Sequence, residues 1–61
     1  MNDLVLTVDE AAERLRVSRW TIYNLIRSNQ LRTIRIGRRR LVPAEALAAC
    51  LAEFMDMEEA A

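Results

Sequence analysis

The sequence predicts a small, mainly α fold with one β-hairpin, in the order α-α-β-β-α, forming a single domain over 1–61. Three observations predict it. Two apolar-periodic stretches each start at a hydroxyl residue, Thr7 and Ser18, with only Arg16 and Val17 linking the end of one to the cap of the next. The single glycine, Gly37, divides two short runs that mix isoleucine, leucine and valine with arginine. Pro43 then opens a third apolar-periodic stretch.

Leu4, Val5 and Leu6 read as an apolar lead-in. Thr7 and Glu10 have the spacing of a capping box, in which the threonine hydroxyl accepts from the Glu10 N–H and the glutamate reaches back. Asp9 and Glu10 suit the positive end of the helix dipole. A helix over 8–15 follows, with Ala11, Ala12 and Leu15 inward; the two small alanines permit close approach of a second helix. Ser18 caps that second helix, over 19–28, and so short a connection makes a helix-turn-helix.

A step of 100° per residue puts Ile22, Leu25, Ile26 and Asn29 on one side of the second helix and Trp20, Tyr23, Asn24 and Arg27 on the other. The first side is suited to burial. The second gathers an indole, a phenol, an amide and a guanidinium, which suits a polar, flat partner. Asn29 stands where a left-handed helix end is wanted, and Leu31 is expected to return to the core. The wing covers 32–42: Ile34 and Ile36 share one strand face with Arg35 opposite, Gly37 marks the turn, and Arg40, Leu41 and Val42 form the return strand. A lone hairpin does not persist in water, so this one must pack on the helices. The last helix is expected over 44–57, with Leu47, Cys50, Leu51 and Phe54 closing the core.

The formal net charge is zero, yet all nine basic residues are arginines between 14 and 40, where no acid occurs; four acids precede them and five follow, from Glu45 to Glu59. Such segregation creates a strong local field. A chain of 61 residues builds only a thin core, and a deep substrate pocket is not expected. With no histidine and one cysteine there is no intrachain disulfide and no metal-ligand cluster, so neither cofactor nor metal is expected. Nothing pairs a nucleophile with a base, which argues against an enzyme and a small-molecule substrate. Cys50 reads as a small buried hydrophobe. The first residues lack the basic start of a signal peptide, and no apolar run reaches the roughly 18 residues of a membrane span. The cytoplasm is the expected location.

The run from Leu6 through Glu-Ala-Ala and Val-Ser-Arg to Arg27, followed by Arg-Ile-Gly-Arg, Pro43 and a third helix, resembles the excisionase-like branch of the MerR-type winged helix-turn-helix family. The resemblance spans about residues 4–54. Where the family commonly has glycine after the first helix this chain has Arg16, and near the end of the second helix it has Ser28, Asn29 and Gln30. The resemblance implies double-stranded DNA as partner, with the second helix in the major groove and the wing on the minor groove or backbone. Arg19, Trp20, Tyr23, Asn24 and Arg27 would meet DNA from the helix, and Arg38 and Arg39 from the wing tip. Arg16, Ser18, Arg35 and Arg40 complete the expected DNA-facing set. Arginine can read guanine edges bidentately and asparagine adenine, while N–H groups at a helix start hold phosphate.

Several residues keep two readings. Trp20 is expected at the surface, because its phase opposes Ile22 and Ile26, with a core position as the alternative. Tyr23 either packs its ring while its hydroxyl meets phosphate or stands fully exposed. Asn24 reads bases or is simply solvated, and Arg38–Arg40 face DNA or only water. Arg14 pairs with Glu10 or contacts phosphate.

By the same resemblance the expected role is that of an excisionase, or recombination directionality factor. Copies would bind cooperatively at a prophage attachment site in the bacterial host, bend the DNA and direct excision by a phage integrase. The chain stops soon after the third helix, which favours this role over one requiring an effector domain. A small transcriptional repressor using the same surface is the alternative. An interaction module built on the acidic third helix, with Met55 and Met57, is a further one.

Overall fold

A computed structural model describes residues 4–60; residues 1–3 and 61 of the expected domain lie outside the described residues. The elements are β1 (Val5–Leu6), α1 (Val8–Leu15), α2 (Arg19–Arg27), β2 (Ile34–Ile36), β3 (Arg39–Pro43) and α3 (Ala44–Ala60). Three helices thus accompany a three-stranded antiparallel sheet of order β1-β3-β2. The apolar lead-in is a strand: Val5 pairs with Pro43 and Leu6 with Val42. Pro43 lacks an N–H, and the next residue takes over, the Ala44 N–H donating to the Leu4 carbonyl at 2.9 Å.

The helix starts follow from their caps. The Glu10 N–H donates to Thr7 Oγ1 at 3.1 Å and the Thr7 N–H to Glu10 Oε1 at 2.9 Å, a reciprocal capping box. At α2 the Thr21 N–H donates to Ser18 Oγ at 3.1 Å. The two helix ends are built alike. Val17 N–H donates to the Ala12 carbonyl and Arg16 N–H to that of Glu13; correspondingly, Gln30 N–H donates to Leu25 and Asn29 N–H to Ile26. Both are Schellman motifs, with the left-handed position held by Arg16 (φ 58°) and Asn29 (φ 63°).

Asparagine tolerates that conformation, whereas a residue such as arginine carries a cost of roughly 1–2 kcal/mol. Part of this is regained when glycine is substituted, the rest being offset by the greater freedom of glycine in the unfolded chain. Arg16→Gly is therefore expected to stabilise the fold by about 0.5–1 kcal/mol, seen as a rise of a few degrees in thermal midpoint. A lower midpoint would mean that the Arg16 side chain contributes more than its backbone costs.

The core consists of Leu6, Val8, Ala11, Ala12, Ile22, Leu25, Leu31, Val42, Leu47 and Cys50, with Leu15, Ile26 and Ala46 packed at its edge. Ala11 and Ala12 on α1 are buried, and α1 packs on α2. The hairpin is anchored through β3, which pairs with β1 on its other edge and sends Val42 into the core. Helices α1 and α3 touch it through β3, while Ile34 and Ile36 on β2 remain exposed. Gly37 has φ 62° and a Cβ there would meet nothing, so glycine serves the backbone alone, at the first position of the two-residue turn between Ile36 and Arg39.

Three expectations need correction. Leu47 and Cys50 are buried, but Leu51 (48% exposed) and Phe54 (37%) are not: α3 runs to Ala60, past the point where the rest of the molecule can cover it. Asn29 is exposed, because its left-handed backbone takes it off the helical face that the 100° step assigns. The second helix ends at Arg27, and Ser28 is its cap. Burial raises the Cys50 thiol pKa, and the neighbouring Glu53 charge adds to it, in keeping with a core thiol.

Candidate nucleic-acid interface

The short link between α1 and α2 exposes the outer side of α2 beside the wing. Trp20 is 72% exposed and Tyr23 43%. Arg27 is exposed and Asn24 half-buried. Trp20 is thus a surface residue, as its phase requires, and Tyr23 stands at the margin with much of its ring accessible.

Two open concavities lie between α2 and the hairpin. One is lined by Thr7, Val8, Asp9, Arg19, Tyr23, Arg39 and Arg40. The other is lined by Ile26, Asn29, Leu31, Arg32, Thr33 and Arg40. Arg40 belongs to both, and its Nη1 donates to Thr33 Oγ1 at 2.7 Å, which draws the side chain back from the turn. The fold therefore brings Arg19 and Tyr23 from α2 together with Arg39 and Arg40 from β3. Arg38 lies in the turn itself, and Arg35 faces Arg40 directly across the ladder. Arg16 is exposed on the α1–α2 link, outside both concavities. The Ser18 hydroxyl is engaged in capping and lies 3.0 Å from Thr21 Oγ1, so its part in binding would fall to the backbone at the helix start.

Two charged participants are absent from the residues expected on this surface. Asp9 in the first turn of α1 accepts from Arg19 Nε and Nη2, both at 2.6 Å. The hydrogen bonds from Arg19 lower the Asp9 pKa below the usual carboxylate value, against an opposing effect of desolvation and with a lesser lowering by the Arg19 charge. No helical spacing links residues 9 and 19; only the packing of α1 on α2 does. Arg32 is the second addition, visible in the sequence only as one more arginine of the wing.

The helix-turn-helix domain family matches residues 5–55. A Streptomyces ambofaciens excisionase is 44% identical over 43 residues, covering 70% of this chain and 69% of that protein. The chain belongs to the excisionase-type helix-turn-helix family. A Saccharopolyspora erythraea protein named "Probable excisionase" is 37% identical to this excisionase-type chain over 60 residues, 98% of its length, and the chain spans 61% of that relative. A Mycobacterium tuberculosis protein named for DNA binding is 42% identical over 43 residues, 70% of this chain and 55% of that one. No solved structure matches.

Trp20 and Tyr23 are both exposed on α2, and aromatic side chains of this kind are enriched at interfaces. In this excisionase-type chain Trp20→Ala is expected to shift the melting midpoint by no more than a few degrees, since the ring buries little. The same change is expected to weaken duplex binding about tenfold, within the range aromatic anchors supply at interfaces. Parallel melting and titration curves separate the two effects; a large drop in midpoint with unchanged affinity would return Trp20 to a structural role.

Proposed function

We propose that this chain binds double-stranded DNA, with α2 in the major groove and the wing on the minor groove or backbone in the MerR-like manner, and that it acts by binding without catalysis. The observation that carries this is the joining of α2 and the hairpin into one arginine-lined face, with Arg19 and Tyr23 beside Arg39 and Arg40. Arginine on both elements supplies backbone neutralisation, which offsets a bending cost of a few kcal/mol. In this reading several copies assemble cooperatively at a prophage attachment end in the bacterial cytoplasm, bend it and direct a phage integrase toward excision. Arg16, Ser18, Arg19, Trp20, Tyr23, Asn24, Arg27, Arg35, Arg38, Arg39 and Arg40 form the contact set. The exposed, acidic far half of α3, with Phe54, Met55 and Met57, is available for the recombinase.

The deciding experiment is a footprinting titration on DNA that spans the attachment end and the promoter of the chain's own gene. A regularly spaced cooperative array at the attachment end, with enhanced cleavage between sites, is the expected result. A single protected site over the promoter and none at the attachment end would replace this role with that of a repressor. Asn24→Ala is expected to cost about 1–3 kcal/mol on the preferred sequence and little on unrelated DNA. Equal losses on both would remove Asn24 from base reading.

A further inference from the structure

Asp9 is an acid set within a surface otherwise dominated by arginine. It lines the same concavity as Arg19, Tyr23, Arg39 and Arg40. Beside a polyanion a carboxylate there is repulsive, so its presence requires an offsetting use. Stability supplies only part of one. Asp9 in the first turn of α1 suits the helix dipole, and the Arg19 and Asp9 side chains are 62% and 63% exposed, so that water screens their pairing even in its two-point geometry.

The geometry supplies one. Asp9 engages the Nε and Nη2 side of the Arg19 guanidinium with two hydrogen bonds of 2.6 Å. Arginine carries five N–H donors in a rigid plane. Two are occupied by Asp9, and the three left over lie on Nη1 and the outer side of Nη2. That outer end is the pair of nitrogens that spans the O6 and N7 acceptors of guanine. Arg19 is the first residue of α2, just after the Ser18 cap, at the end of the helix where side chains reach a groove floor. A long, free arginine would lose rotamer freedom on binding; one already clamped has lost it beforehand.

We propose that Asp9 is a specificity-positioning residue, holding Arg19 in one orientation so that its free guanidinium end reads a guanine edge and is withheld from indiscriminate phosphate contact. The proposal rests on the reading that α2 meets DNA. Asp9 acts through Arg19 and has no base contact of its own. Its charge also penalises any register in which Arg19 turns away and leaves the carboxylate facing a phosphate.

The test is selection by the intact chain from a pool of randomised duplexes, followed by affinity measurements on the selected duplex and on a scrambled one. Wild type, Asp9→Ala, Asp9→Asn, Arg19→Ala and the Asp9→Ala/Arg19→Ala double variant are compared, with melting curves for each. Asp9→Ala is expected to lower the ratio of selected to scrambled affinity roughly fivefold or more, the smaller end of what a bidentate arginine–guanine pair provides. Affinity for the scrambled duplex holds or rises, because a repelling charge has been removed. Arg19→Ala lowers the ratio similarly, and the double variant lowers it no further. Asp9→Asn keeps a side chain of the same shape at the start of α1 and falls between wild type and Asp9→Ala.

The proposal is overturned if Asp9→Ala and Asp9→Asn raise both affinities alike and leave the ratio intact, since Asp9 would then be a charge and nothing more. It is also overturned if the losses at Asp9 and Arg19 add in the double variant. The underlying reading fails differently: the pool yields no preferred sequence, and Arg27→Ala and Arg39→Ala leave duplex binding unchanged.

Discussion

Ile22→Ala is expected to lower the thermal midpoint by at least about 10 °C. Ile22 is completely buried, on the side of α2 that faces the core. Truncating such a side chain costs about 2–5 kcal/mol, through lost transfer energy and the cavity left behind. Total stability for 61 residues is only about 3–9 kcal/mol at ordinary values per residue. In chains this small each kcal/mol moves the midpoint by about 4–8 °C. Thermal denaturation followed by circular dichroism measures it. Leu51→Ala provides the contrast: Leu51 is half exposed, so its loss is expected to stay below about 1 kcal/mol. Comparable losses at the two positions would mean that Leu51 is packed as fully as Ile22.

The second large effect concerns the wing. Replacing Arg38 and Arg39 together by alanine is expected to weaken duplex binding by one to two orders of magnitude and to flatten its salt dependence. Each phosphate neutralised adds about 0.9 to the slope of log K against log salt. For about six contacts the intact chain should show a slope of roughly −5, and the double variant, with about four, one of roughly −3.6. Fluorescence anisotropy titrations between about 50 and 200 mM salt read both quantities. An unchanged slope with weaker binding would place these arginines on base edges, and no change in either would exclude the wing tip.

Sequence and structure agree most closely where the information is local. Thr7 with Glu10, and Ser18 with Thr21, act within one helical turn, so the starts of α1 and α2 can be read directly. The burial of Ile22, Leu25 and Leu31 follows from phase and from the chain reversal at Asn29. Other features depend on distant parts of the chain. Val5 and Leu6 have too little length for a periodic signal, and they form a strand only because Val42 and Pro43 lie alongside. Phase identifies which face Leu51 and Phe54 occupy on α3, but not how far the covering elements reach along it. The Asp9–Arg19 clamp depends on how α1 crosses α2, which no spacing reveals. Among the arginines, the sequence shows a concentration of charge; the fold distinguishes those that join α2 to the wing from those on the turn or the α1–α2 link.

The opposition of Arg35 and Arg40 across the β2–β3 ladder has a thermodynamic consequence. Like charges placed directly opposite weaken a strand pair, so the isolated hairpin carries an internal repulsion. An anion that binds beside the closed ladder lessens that repulsion, and its binding energy then counts toward folding of the hairpin. Closing of the ladder and binding of such an anion are to that extent linked equilibria.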